Sequence, residues 1–356
     1  MKVCIIAPFL SGYGGTETVI KSLLDNVDLF ETKQIELDLF LPQGSKDCSW
    51  ISSYSKNVTV GNTVNFNSPA RKISGFINMV KFLTNSRYDI VICMSDKIIG
   101  ICDLINKMNK NKFKIVSWIH FSLFDSHGIK IKEILKADYH LAISNGISNQ
   151  LILNKVPKEK ISVIGNPVKK NSNTINRSDD NILRLIYVGR IYLNGQKNLQ
   201  ELFETLELLE TNKWQLDIFG EGPDSEIVEK LVGESEISSQ VNFHGWVNNP
   251  LSKVKTADFL ILTSRYEGFP MVILEANSLG LPCISSNCPT GPSDLIQSGK
   301  NGFLYEMGNK FELADIINGI IKGNYLIATE KSIKESIENY YISNYIDKLS
   351  AVLLNI

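Results

Sequence analysis

The sequence predicts an α/β chain folded as two parallel-sheet domains, and three observations predict it. Its 356 residues are too many for one ordinary core and suit two domains of about 150 each. Short, continuous apolar runs alternate with helical patterns, as parallel strands covered on both faces require. The alternation stops at the polar, aperiodic stretch KKNSNTINRSDDN (169–181), which reads as a linker, and then restarts. The expectation is two Rossmann-like domains, 1–166 and 167–336, with parallel sheets facing a central cleft. Residues 337–356 form a helical tail able to pack back on the first domain.

The elements follow in order. KVCIIAP (2–8) opens the chain. Its apolar run is short, carries one Lys and leads into a glycine loop, so a buried first strand fits it better than a signal peptide. YDIVICMS (88–95), FKIVSWIHF (113–121), DYHLAIS (138–144) and KISVIGNP (160–167) complete the first set of strands. LRLIYVGR (183–190), WQLDIFG (214–220), QVNFHGW (240–246), DFLILTS (258–264) and PCISS (282–286) form the second. KNLQELFETLELLE (197–210) is a helix between strands, and SIENYYISNYIDKLSAVLLNI at the C-terminus is an amphipathic one. Pro270 suits a first helical turn and Gly280 the position after a last turn, which sets a helix at about 270–279.

Composition narrows the function. A 43% hydrophobic, 21% charged chain is globular, and it holds no run of 18 apolar residues to span a bilayer. The six cysteines show neither CxxC nor metal-ligand spacing, so reduced thiols in a cytoplasmic protein are expected. Charge is uneven. Residues 1–166 carry 20 Lys+Arg against 14 Asp+Glu, and the remainder 17 against 24. Two domains with different partners follow from this. No nucleic-acid partner is expected.

The chemistry concentrates in SRYEGFPMVILEANSLG (264–280), where Glu267 precedes the helix and Glu275 lies inside it. A helix mouth offers free N–H groups and a positive dipole end to an anion. Glu275, some five residues in, lies about 7–8 Å along the axis. A diphosphate at the mouth could therefore reach one carboxylate with each end, as a nucleotide sugar would. On spacing alone, two solvated glutamates remain the simpler reading. Other motifs change the balance. YVGRIYLNGQKN (187–198) ends a strand in Gly189-Arg190 and reaches Lys197 at a helix start, two cations placed to neutralise a leaving diphosphate. FGEGP (219–223) and FHGWV (243–247) are glycine-lined strand ends of the kind that form ligand crevices. APFLSGYGGTET (7–18) has the outline of a phosphate cradle but lacks a strict GxGxxG.

Together, the E-x7-E pair of EGFPMVILE, the GR…K pair, the N-terminal GG and His120 after a strand resemble the retaining glycosyltransferases of family four, of GT-B fold. The resemblance covers nearly the whole chain. More narrowly, GYGGTETVI, SWIHFSL, ADYHLAISNGI and PCISSNCPTGPSDLI look like the lipopolysaccharide 1,6-galactosyltransferases. The resemblance implies a hexosyl transfer, most simply of galactose or glucose, from a UDP-sugar to a cell-surface glycan or lipid-linked oligosaccharide. It implies that Glu267 contacts the donor sugar and Glu275 the ribose. Arg190, Lys197 and the N–H groups of Gly268, Phe269 and Met271 would hold the diphosphate. Gly14 and Gly15 would admit phosphates from the N-terminal domain, His120 would touch the hexose, and Gly220 and Val247 would line the nucleotide site. His120 reads almost equally well as a core histidine; His127 and His140 read as structural.

No Asp-x-Asp occurs, so no metal is expected, and the UDP-sugar is a substrate rather than a cofactor. Two alternatives stand beside transfer: a UDP-sugar 2-epimerase of the same architecture, for which no acid/base set over C2 is evident, and a non-catalytic nucleotide-sugar-binding subunit. KMNKNKFK (107–114) and the amphipathic KIKEILK (130–136) suggest a cytoplasmic protein held peripherally at an anionic membrane surface, with a solvated basic face as the simpler reading.

Overall fold

The structure is a computed structural model that describes every residue except 13, 62–68, 86, 109–111 and 125–127. The chain divides into two compact units, Met1–Pro167 with Tyr341–Ile356, and Val168–Tyr340. Each is built on one parallel sheet with helices between its strands, the α/β fold that alternating apolar runs require.

In the first unit the strands are β1 (Lys2–Ile6), β2 (Glu36–Leu41), β3 (Val58–Val60), β4 (Ile90–Cys93), β5 (Lys114–Ile119), β6 (Tyr139–Ala142) and β7 (Ile161–Val163). Their order is β3-β2-β1-β4-β5-β6-β7, all parallel. Val3, Cys4, Ile5 and Ile6 are buried on both faces of β1, which makes the N-terminal apolar run a core strand. The order reverses direction at the β1/β4 pair. Ligands of open α/β sheets bind at such a point, beyond the carboxyl ends of the strands. The glycine loop Ser11–Gly14 follows β1, and His120 follows β5 one strand away.

In the second unit β8 (Leu183–Val188), β9 (Trp214–Phe219), β10 (Val241–Phe243), β11 (Phe259–Leu262), β12 (Cys283–Ser286) and β13 (Gly302–Tyr305) run in the order β10-β9-β8-β11-β12-β13. Here the reversal lies between β8 and β11, the strands that lead into the two motifs richest in charge. The helix after β11 runs Met271–Ser278, with Pro270 as its N-cap and Gly280 in the left-handed region at φ +79°.

Three strands lie outside the sequence expectations. Glu36–Leu41 hides in ELDLFL, whose carboxylates interrupt the apolar run, and Val58–Val60 is a three-residue edge. Gly302–Tyr305 is a four-residue edge opened by glycine. The expected linker at 169–181 is a correction: it is held within the second unit. Ile175 is buried and its N–H donates to the Leu279 carbonyl at 2.9 Å. Asn171 Nδ2 donates to Ser278 Oγ at 2.8 Å, and the Lys334 ammonium to the Asn173 carbonyl at 2.7 Å. Its polar side chains are spent on capping neighbours, which leaves no periodicity for a sequence reading to find. The terminal helix Ile342–Leu354 belongs to the first unit, packs on the helices Gly15–Leu24 and Val27–Glu31, and is tied by Lys33–Asp347 at 2.9 Å.

The basic segments also look different when folded. Lys107 pairs with Asp103 at 2.8 Å, and Lys136 with Glu133 at 2.7 Å. The amphipathic run at 130–136 supplies one helical turn, Ile131–Ile134, with Ile134 buried. Lys110 lies outside the described residues. Lys112, Lys114, Lys130 and Lys132 make no ion pair among the described residues. Among the described residues no helix is long and apolar enough to cross a membrane.

Candidate functional site

At the β8/β11 reversal the loops after the two strands are tied to each other. The Arg265 N–H donates to the Gln196 carbonyl at 2.8 Å, and Thr263 Oγ1 donates to the Lys197 carbonyl at 3.0 Å. These bonds bring Lys197 to Glu267, with Nζ to Oε1 at 2.6 Å and both side chains largely out of water, 14% and 9% exposed. Ser264 Oγ donates to the same Oε1 at 2.7 Å. From the loop after β12, Thr290 Oγ1 donates to the Glu267 carbonyl oxygen. The carboxylate is thus fixed from one side by a cation and a hydroxyl, and its backbone is clamped from another strand. Buried charge is stable only when paired and hydrogen-bonded in this way.

Just beyond Glu267 the chain enters the Met271–Ser278 helix. The N–H groups of Gly268, Phe269 and Met271 have no hydrogen-bond partner among the described residues. Three unpaired donors at a helix mouth form an anion site. Arg190 is exposed, and its guanidinium has no ion-pair partner among the described residues. Its backbone is anchored: its carbonyl accepts the buried Tyr187 hydroxyl at 2.7 Å. Gly220 packs beside this turn at φ +140°, and a Cβ there would stand 1.9 Å from the Gly189 carbonyl oxygen. Only glycine lets the ends of β8 and β9 meet so closely. Val247 is half-buried in the loop after β10, next to the exposed Trp246.

Glu275 differs from Glu267. It is half-buried, and its carboxylate has no partner among the described residues. Burial pushes it up to about 7 from an ordinary 4.5. A carboxylate held without a partner is costly to the fold and available to a ligand's hydroxyls.

The remaining sequence candidates, Gly14, Gly15 and His120, belong to the first unit. Gly14 has a structural reason of its own, because a Cβ would stand 2.5 Å from the Glu17 carboxylate. Glu17 is buried and accepts from Ser11 Oγ at 2.8 Å and the Gly12 N–H at 2.9 Å, folding the loop onto its helix. Gly15 opens the helix Gly15–Leu24. His120 sits edge-on to Trp118 at 4.5 Å with a buried Nε2 that has no partner. Burial lowers its pKa to about 3, so it is a neutral hydrogen-bonding group. His140, by contrast, is satisfied by Ser117 Oγ at 2.7 Å and is structural; His127 lies outside the described residues.

Sequence reasoning missed Ser264, Thr290, Thr263, Gln196 and Glu17. Each acts through a contact, and none stands in a spacing that announces it. An open pocket of about 500 Å³ next to this region is lined by Asn198, Glu204, Arg265 and Lys310 and contains none of the sequence candidates. Among the described residues no cluster of three His, Cys, Asp or Glu side chains could hold a metal.

Residues 168–340 match the family model for glycosyl transferases group 1. The chain is 34% identical over its whole length to the lipopolysaccharide 1,6-galactosyltransferase of Escherichia coli K12, covering 98% of that protein. Among solved structures, the apo form of the lipopolysaccharide outer core galactosyltransferase WaaB aligns over 100% of this chain and 99% of its own, with TM-score 0.88 and 33% identity. Anabaena HepE in complex with UDP aligns over 100% of both chains with TM-score 0.80 at 18% identity, a likeness of fold. The architecture is that of the GT-B glycosyltransferases.

Proposed function

Since the chain belongs to the group 1 glycosyl transferases and is a glycosyltransferase of the lipopolysaccharide galactosyltransferase type, we propose that it moves a hexosyl unit, galactose or glucose, from a UDP-sugar to a glycan or lipid-linked oligosaccharide, with retention and without a metal. The observation that carries this reading is the Lys197–Glu267 pair beside the unpaired N–H groups of Gly268, Phe269 and Met271. The second unit would bind the donor and the first the acceptor. The diphosphate occupies the helix mouth, where the three N–H groups, Arg190 and Lys197 meet its charge. Lys197 turns from Glu267 toward the phosphate, and Glu267, still held by Ser264, accepts a hydroxyl of the hexose. Glu275 accepts the ribose hydroxyls, and Gly220 and Val247 face the nucleotide. The bond from C1 to the phosphate oxygen breaks as the acceptor oxygen bonds C1 on the same face, and the departing phosphate oxygen takes the acceptor's proton. The reaction is cytoplasmic, at the inner membrane face where a lipid-linked acceptor is held.

A panel of UDP-galactose, UDP-glucose and UDP-N-acetylglucosamine tests the reaction by UDP release and by epimer analysis. Transfer should survive EDTA, and Arg190→Ala should lower kcat by about 10²-fold, the usual loss for one preorganised electrostatic contact. Activity abolished by EDTA and restored by Mg²⁺ would remove the metal-free part of the proposal; epimer formation without transfer would remove the rest. Stereochemistry is a separate check. The anomeric proton coupling of the product should report the donor's α configuration, and a β product would exclude same-face attack.

A further inference from the structure

Taking Lys197 as the diphosphate cation of the proposed reaction, we propose that Asn198 is the residue that positions it. Its left-handed backbone, held by the buried carboxylate of Glu201, aims the lysine at its target. Asn198 follows Lys197 directly and sits at φ +51° and ψ +49°. Of the four non-glycine residues with positive φ among the described residues, Gln34, Lys155 and Asn249 are exposed, whereas Asn198 is 2% exposed. A residue with a side chain pays strain there and keeps the conformation only where its surroundings enforce it. Here the left-handed turn stops the helix Leu199–Leu206 from extending backward through Lys197, which leaves that side chain free of the helix surface.

The surroundings enforce it from three strands. An asparagine before a helix ordinarily caps the first free N–H groups. Asn198 makes no such bond; its Nδ2 donates instead to Glu201 Oε2. Glu201 Oε1 accepts the Tyr305 hydroxyl at 2.8 Å and the Gly308 N–H at 3.3 Å, which ties the turn to β13 and the loop after it. Thr263 Oγ1, just past β11, reaches the carbonyls of Lys197 and Asn198 at 3.0 and 3.1 Å. The N–H groups of Leu199 and Gln200 turn back to the Tyr192 and Leu193 carbonyls at 3.1 and 2.9 Å, closing the loop that carries Lys197 after β8. Glu201 is 7% exposed and makes no ion pair among the described residues. A carboxylate kept from water on neutral donors alone is costly to the fold. What it supplies in return is two acceptor oxygens that hold three donors at once. Lys197 therefore starts its reach to Glu267, at 2.6 Å, from a backbone fixed on β8, β11 and β13.

Steady-state kinetics on the full chain test the proposal with Asn198→Gly, Asn198→Ala and Glu201→Gln. Glycine enters the left-handed region freely and should keep kcat within about threefold of the wild type. Alanine resists that region and should lower kcat by about tenfold, because a small displacement of a preorganised charge spoils its aim. Glu201→Gln sets an amide donor among donors and should lose kcat in the same range. The double variant with Lys197→Ala separates aim from general loosening. In the Lys197→Ala background Asn198→Ala should cost no further kcat, since the group it positions is gone. A full second loss there, or equal kcat in the glycine and alanine variants, overturns the proposal. If Lys197→Ala itself keeps the wild-type kcat, the role of Lys197 in the reaction fails, and its positioning is read in thermal melts instead. Asn198→Ala should then diminish the coupling between Lys197→Ala and Glu267→Ala, and an undiminished coupling overturns the positioning role.

Discussion

Glu267→Ala should lower kcat by about 10²-fold or more while leaving donor KM near the wild-type value, because the proposed contact to the reacting hexose strengthens in the transition state. Lys197→Ala should also lose activity, with a different accompaniment. It strips the cation from a carboxylate that is 9% exposed and leaves only Ser264 against the bonded oxygen. A buried charge left without its partner costs about 3–5 kcal/mol. Lys197→Ala should therefore lower the denaturation midpoint sharply. Glu267→Ala should do so less, since a lysine ammonium can swing its flexible stem toward water. The double variant should recover much of the stability lost in Lys197→Ala, a coupling that contact between the two groups requires. Strictly additive losses in stability would mean that the 2.6 Å pair is not maintained in solution. Unchanged kcat in Glu267→Ala, whatever the stability, would detach the carboxylate from the chemistry.

Glu275→Gln should stabilise the protein at neutral and alkaline pH while impairing its use of donor. The folded carboxyl titrates at about 7 against 4.5 ordinarily, so folding takes up a proton between those values. Below 4.5 both the folded and the unfolded chain carry the proton, and this group does not oppose folding. As pH rises the unfolded chain loses its proton first, and stability falls until the folded carboxyl ionises near 7. Above that the whole penalty is present, about 3 kcal/mol at 1.36 kcal/mol per pKa unit. Glutamine never bears the charge. Thermal melts of Glu275→Gln should coincide with the wild type below pH 4.5 and lie above it beyond pH 7. Donor KM should rise by about tenfold, the loss expected when charge-assisted contacts to the ribose hydroxyls go. Wild-type donor KM should fall as pH rises toward 7, when the accepting carboxylate forms, and the variant should lack that dependence. A variant no more stable at high pH would show that Glu275 is better solvated than its surroundings suggest; an unaltered donor KM would remove it from the nucleotide site.

The sequence by itself determined the class of fold. Continuous apolar strands spaced by helical patterns permit little besides parallel sheets. Pro270 and Gly280 bracket a helix from local backbone chemistry alone, and that helix is present at Met271–Ser278. Glu267, Arg190 and Lys197 could be placed in the fold because each stands near a strand end or helix start, and Glu275 because it lies inside the helix that follows β11. Tertiary structure decided how they relate. That Lys197 rests on Glu267, 70 residues away, depends on β8 and β11 being neighbours, which no local pattern encodes. Ser264 and Thr290 hold Glu267 through single hydroxyls, and isolated hydroxyls carry no periodicity. Residues 169–181 look like a linker because their polar groups bond distant segments instead of one another. For Lys197 with Glu267 and Thr290 with Glu267, the sequence supplied the chemical groups and the fold brought them together. Burial and pairing are long-range properties, and only the folded chain fixes them.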